Sequence, residues 1–113
     1  MWGVIEITEG CIKNDYLIVT DVRELFPDAA FGGSNEEQAG QAIHVSWGGE
    51  AVRTDIVGSG CFFRRRGWVG EFIRQHRLQV GDRVVVERLA PDRYHVYPLR
   101  QAGVGIQAQG SRG

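Results

Sequence analysis

Short apolar stretches separated by glycine-containing turns recur along this chain. Five of them alternate apolar and polar residues or are rich in β-branched residues, as half-buried strands are. They cover residues 4–8, 16–20, 42–47, 51–57 and 93–99. Two further strands are expected over residues 61–65 and in the second half of residues 78–89. Since strands this short bury their apolar faces mainly against one another, the pattern predicts a mainly β fold.

Two segments have a helical pattern instead. Residues 21–26 begin with Asp21, which can cap a helix, and Glu24 lies three positions later, as in a capping box. Pro27 ends this helix, because the residue before a proline disfavours the helical conformation. Residues 68–77 place apolar side chains at helical spacing. About seven strands and two short helices, joined largely by hairpins, indicate a small closed or partly closed barrel.

The length of 113 residues fits a single domain. We expect residues 1–100 to form it, and residues 101–113, which are glycine-rich and have no apolar period, to be a disordered tail. No apolar run is long enough to span a membrane, and the first ten residues lack the basic and apolar regions of a signal peptide. These features predict a cytoplasmic protein with no membrane partner. Cys11 and Cys61 have no metal-ligand spacing with the histidines, so we expect buried or half-buried reduced thiols and no metal.

The charges are distributed unevenly, although the formal net charge is only −1. Residues 1–38 contain two basic and eight acidic residues, whereas residues 39–113 contain eleven arginines and six acidic residues. Twelve of the thirteen basic residues are arginine, the side chain suited to bidentate contact with phosphate and guanine. This asymmetry suggests a surface that faces a polyanion.

The sequence contains no nucleophile-elbow, zinc-protease, P-loop or dinucleotide-binding pattern. We therefore expect no enzymatic activity and no cofactor. A small metal-dependent nuclease is one alternative, because Glu9, Lys13 and Asp15 lie in one connection, and acidic ligands with a lysine are typical of nuclease sites. A protein-interaction or small-ligand module on the same barrel is another alternative, since a fold alone does not fix function.

The segment RRRGWVGEFIRQHRLQVGDRVVVERL, residues 64–89, resembles the closing half of the plant B-three DNA-binding domain. In that family a short strand leads into Gly-Trp, a helix of the type WxxFVxxxxL, Gly-Asp and an apolar strand. The matching residues here are Gly67, Trp68, Phe72, Ile73, Leu78, Gly81, Asp82, Val84 and Val86. The chain also resembles the effector domain of the EcoRII-type restriction endonucleases. The resemblance covers roughly residues 4–99 and implies a seven-stranded open pseudobarrel with two helices.

The resemblance also implies sequence-specific binding of double-stranded DNA, with two arms that enter the major groove. The first arm would be the connection at residues 9–15, where Lys13, Asn14 and Asp15 offer groups to phosphates and base edges. The plant family has a His-Gly-Gly-like stretch in this loop, which the present sequence lacks. The second arm would be the turn at residues 57–61.

Ser59 lies at the tip of this second arm, and we expect it to contact DNA together with the residues that flank the arm. These flanking residues are Arg53, Thr54, Arg64, Arg65 and Arg66. Alternation along a strand places Arg64 and Arg66 on one side and Arg65 on the other. Arginines there can neutralise phosphates and donate two hydrogen bonds to guanine. Such a module would serve a restriction system or a regulator, with any nuclease supplied by another domain or chain.

Overall fold

The structure, a computed structural model, describes residues 1–100 of the chain. The predicted disorder of residues 101–113 therefore concerns residues outside the described part. The strands are, in chain order, β1 (Trp2–Glu6), β2 (Phe31–Gly32), β3 (Ile43–Ser46), β4 (Val52–Thr54), β5 (Ile56–Val57), β6 (Phe62–Phe63), β7 (Arg83–Ala90) and β8 (Arg93–Pro98). The α-helices are α1 (Glu9–Asn14) and α2 (Gly67–Gln75). Short 3₁₀-helices cover Thr20–Leu25, Asp28–Ala30 and Glu36–Gln38.

The strands form two separate mixed sheets. The larger sheet has the order β1-β7-β8-β3-β4, in which only β3 and β8 are parallel neighbours. The smaller sheet has the order β2-β5-β6, with β2 parallel to β5 and a tight hairpin between β5 and β6. This arrangement confirms the predicted mainly β fold and open pseudobarrel. The described residues contain eight strands instead of seven.

One hydrophobic core joins both sheets and α2. Tyr94 of β8 is buried, and its hydroxyl donates a hydrogen bond to the carbonyl oxygen of Leu25 at 2.7 Å. The ring of Phe26 stacks on Tyr94 with centroids 4.6 Å apart and meets Phe63 of β6 edge to face at 6.0 Å. Phe26 therefore links the larger sheet to the smaller one. The apolar face of α2 is buried as its periodicity predicts.

The strand predicted over residues 16–20 is wrong. Ile18 makes only an isolated bridge with Phe62, and a 3₁₀-helix begins at Thr20. The N–H of Val22 bonds to the carbonyl oxygen of Val19 at 3.0 Å, so the chain turns before a ladder can extend. Asp21 is not the predicted helix cap either, because Val19 occupies the capping position and no side chain accepts a hydrogen bond there.

The single strand predicted over residues 51–57 is also wrong, because the chain changes sheet at Asp55. β4 pairs with β3 in the larger sheet, and β5 pairs with β2 and β6 in the smaller one. Asp55 is buried between them, and its carboxylate accepts hydrogen bonds from other segments. Strand-favouring β-branched residues lie on both sides of Asp55, so the local residue preferences give no sign of the break.

Within residues 1–100, no helix is long and apolar enough to cross a membrane.

Candidate nucleic-acid interface

The first predicted arm is a helix, not a loop. Thr8 caps α1, with its side-chain oxygen accepting a hydrogen bond from the N–H of Cys11 at 3.3 Å. Asp15 ends the helix in the left-handed conformation, with φ 54°, and its N–H returns to the carbonyl oxygen of Cys11. A threonine cap, an acidic first turn and a basic last turn stabilise even a short helix. The sequence does not predict this helix, because α1 contains Gly10 and Asn14, which are typical of turns.

Lys13, Asn14 and Asp15 are all exposed at the C-terminal end of α1. The carboxyl group of Asp15 lies against α2, where a Cβ added to Gly70 would come within 2.9 Å of its Cγ. The absence of a side chain at Gly70 therefore allows the end of α1 to approach α2 closely. This contact fixes the position from which Lys13 and Asn14 project.

The second arm is the tight turn between β5 and β6. The N–H of Cys61 bonds to the carbonyl oxygen of Val57 at 2.7 Å, which closes the turn. The N–H of Gly58 bonds to the carbonyl oxygen of Gly32 at 2.9 Å and ties the turn to β2. Ser59 is exposed at the tip, as the sequence predicts for a slim loop.

An aromatic contact holds the two arms side by side. The ring of Tyr16, just after α1, stacks on the ring of Phe62 in β6, with centroids 5.7 Å apart. The N–H of Val19 bonds to the carbonyl oxygen of Cys61 at 2.8 Å and reinforces the junction. The guanidinium carbon of Arg66 lies 5.4 Å from the centroid of the same Phe62 ring. Arg66 is therefore placed next to both arms.

Arg64 is held inside the protein by a bidentate ion pair. Its Nε donates to Oδ1 of Asp55 at 2.6 Å and its Nη2 to Oδ2 at 2.9 Å. Nη2 also donates to the carbonyl oxygen of Gly33 at 2.7 Å, and Nη1 donates to that of Asn35 at 3.2 Å. The Arg64 side chain is 11% exposed and that of Asp55 is 3% exposed. With most of its five N–H groups used, Arg64 supports the loop that contains Gly33 and has little capacity left for DNA.

The charges of this pair stabilise each other. Burial raises the pKa of the Asp55 carboxyl, but the hydrogen bonds from Arg64 and from the N–H of Gly40, with the charge of Arg64, outweigh that effect. The pKa of Asp55 therefore lies below its ordinary value of 3.8. The hydrogen bond to Asp55 raises the pKa of Arg64 in turn. The pair is ionised across the neutral range.

Arg65 and Arg66 are exposed, unlike Arg64. The arginines alternate in direction although β6 ends at Phe63. Arg64 and Arg66 line one open concavity with Ser34 and Ser59, whereas Arg65 lines another with Arg53. The structure thus divides the basic residues between two sides of the second arm.

Thr54 is buried and has internal partners. Its hydroxyl donates to the carbonyl oxygen of Asp55 at 2.8 Å and accepts from the N–H of Arg65 at 3.0 Å. The indole N–H of Trp68 donates to the carbonyl oxygen of Arg65 at 2.7 Å. These two contacts fix the backbone of Arg65 and leave its side chain to solvent, so Thr54 supports from inside the surface that carries Arg65.

Two residues that no sequence pattern indicated help to build the site. The rings of Tyr16 and Phe62 join the two arms. These residues are far apart in the sequence, and no local pattern predicts that their rings meet.

Cys11 and Cys61 are buried free thiols, as predicted. In the described part of the chain, no group of three or more histidine, cysteine, aspartate or glutamate side chains is arranged to hold a metal ion.

No protein-family model matches the sequence, and no curated protein matches it. Three chains in solved structures are similar to this one, among them a domain from Helicobacter pylori and one from Arabidopsis. The N-terminal domain of Helicobacter pylori LlaJI.R1 is 12% identical, with a TM-score of 0.57, over 88% of this chain and 88% of that one. An Arabidopsis FUS3–DNA complex is 16% identical, with a TM-score of 0.56, over 87% of this chain and 95% of that one. The predicted resemblance to the plant B-three domain and the EcoRII-type effector domain is thereby confirmed at the level of the fold, and this chain is a pseudobarrel of that type.

Proposed function

We propose that this protein is a sequence-specific double-stranded DNA-binding domain that inserts the end of α1 and the β5–β6 turn into the major groove. The observation that carries the proposal is the junction of the two arms by Tyr16 and Phe62, with exposed basic side chains beside it. A similar fold in a complex with DNA supports the same conclusion.

The basic residues have separate roles in this proposal. Arg65 and Arg66, with Arg53 and Lys13, contact phosphates, because their side chains are exposed on the surfaces that flank the arms. Phosphate contacts fix position and orientation but carry little sequence information. Arg64 and Asp55 act as the internal support of this surface.

Sequence recognition is assigned to the tips of the arms. Asn14 can donate and accept a hydrogen bond on an adenine edge, and Asp15 can accept from a cytosine amino group. Ser59 lies at the tip of a turn slim enough for a groove. The domain would supply specificity to a restriction system or act as a regulator, with any cleavage by another domain or chain.

The test is a fluorescence-anisotropy titration with random duplex pools, followed by selection of the bound sequences. We expect the logarithm of the association constant to fall linearly with the logarithm of the salt concentration, with a slope of about 0.9 for each phosphate contact. The selected pool should contain a common motif. Absence of binding at low salt would refute the proposal. Binding without an enriched motif would limit the function to non-specific attachment.

A further inference from the structure

β1 is an edge strand of the larger sheet, with β7 on only one side. Hydrogen bonds in an antiparallel ladder use every second residue of a strand. The carbonyl oxygen of Met1 accepts from Arg88, and Ile7 exchanges hydrogen bonds with residues of the turn before β7, so the odd-numbered residues face inward. The backbone groups of Trp2, Val4 and Glu6 therefore point away from the sheet, and no other segment of residues 1–100 pairs with them.

The sequence of this edge strand lacks the residues that usually protect a free strand. Edge strands commonly carry lysine, proline or a bulge that prevents pairing with another chain. β1 has the sequence WGVIE, with a regular register to β7 and a single charge at its end. Trp2 is 64% exposed, and Met1, which precedes it, is exposed as well.

We propose that β1 pairs with β1 of a second copy of this chain in an antiparallel, two-fold symmetric arrangement centred on Val4. In this register Val4 faces Val4 of the second copy, and Trp2 faces Glu6 of that copy. This register places all three outward-facing residues of each chain in hydrogen-bonded pairs, whereas a shift by two residues leaves some unpaired. The larger sheet of one copy and the larger sheet of the other would then join into one continuous sheet.

The side chains on the outer face are self-complementary in the same register. Gly3 and Ile5 face the core, so Trp2, Val4 and Glu6 share the outer face. The two valines meet at the centre, and each Trp2 covers one of them diagonally. The two Glu6 carboxylates lie apart from each other, which avoids repulsion between like charges.

The dimer should be weak, because a pairing of five residues buries less area than the roughly 1,200–2,000 Å² of a stable interface. None of the residues assigned to DNA contact lies on β1. Self-association can therefore be tested without DNA, and its failure would leave the proposed DNA binding untouched.

The first experiment is sedimentation equilibrium of the full chain up to high micromolar concentration. We expect a reversible monomer–dimer equilibrium that Val4→Lys weakens by about tenfold or more. Ala51→Lys is the matched control, because Ala51 is exposed just before β4, at the opposite edge of the larger sheet from β1, and should not change the equilibrium. A wild type that stays monomeric, or equal effects of the two lysines, would overturn the proposal.

A charge exchange tests the register itself. Trp2→Glu places two glutamates opposite each other at both ends of the pairing and should abolish the dimer. Adding Glu6→Lys to this variant creates opposite charges across the same pairs and should restore association at low salt. Thermal melting of each variant at low concentration checks that the monomer is folded. If folded Trp2→Glu/Glu6→Lys associates no better than Trp2→Glu alone, the proposed register is wrong.

Discussion

Arg64 and Asp55 form a bidentate ion pair, with Nε to Oδ1 at 2.6 Å and Nη2 to Oδ2 at 2.9 Å, at the point where the chain passes between its two sheets. The same guanidinium binds the carbonyl oxygens of Gly33 and Asn35, and the same carboxylate accepts the N–H of Gly40 at 2.6 Å. One pair therefore fixes both ends of the loop that lies beside the second arm.

Replacing Arg64 by alanine should destabilise the fold by about 3 kcal/mol, because Asp55 would stay buried without its countercharge. The free energy of unfolding, measured by urea denaturation, checks this expectation. Arg65→Ala is the matched control and should change it by no more than about 0.5 kcal/mol, since that side chain is exposed. Equal stabilities of the two variants would show that the pair contributes little.

Acid should weaken the fold through Asp55. The pKa of Asp55 in the folded protein lies below the ordinary value of 3.8 that it has in the unfolded chain. The stabilisation from the ionised carboxylate is therefore fully present when the pH is above 3.8, and it is lost as the pH falls through the folded pKa. Asp55→Asn should therefore be less stable than the wild type at neutral pH, and the difference should narrow in acid. Urea midpoints across a pH series measure it, with exposed Asp21→Asn as the control. A difference that does not change with pH would contradict this linkage.

Arg65→Ala and Arg66→Ala should each weaken DNA binding for all sequences alike and reduce the salt slope by about one unit. Both side chains are exposed beside the second arm, where they can neutralise phosphates. Arg74→Ala removes the same charge from an exposed position in α2 and serves as the control. An equal reduction of the slope by Arg74→Ala would mean that total charge, not position, determines binding.

Asn14→Ala should relax sequence preference more than it weakens binding to random duplexes. Loss of a bidentate pair to a base edge costs about 1–3 kcal/mol of discrimination, whereas phosphate contacts stay in place. Selection from a random pool with wild type and variant measures the change, and Gln75→Ala, at an exposed position in α2, is the control. An unchanged motif would show that Asn14 in α1 does not take part in sequence recognition.

Much of the fold could be predicted because its signals are local. The burial of Ile43 and Val45 in β3 and of Phe72 in α2 follows directly from their spacing. The Gly-Trp helix followed by Gly-Asp and an apolar strand carried the fold resemblance, which the similar structures confirm. The short helix α1 and the missing strand at residues 16–20 were mispredicted because pairing partners and caps there override weak local preference.

The sequence by itself determined a mainly β pseudobarrel with arginine concentrated around its second arm. Only the tertiary structure decided which arginines face solvent. Arg64, Arg65 and Arg66 are chemically identical in the sequence, but Asp55 is buried within reach of Arg64 alone and pairs with it. Likewise, only packing brings Tyr16 against Phe62 and so places the two arms together. Periodicity reports which side of an element is apolar, whereas the partner of a charge depends on where the sheets meet.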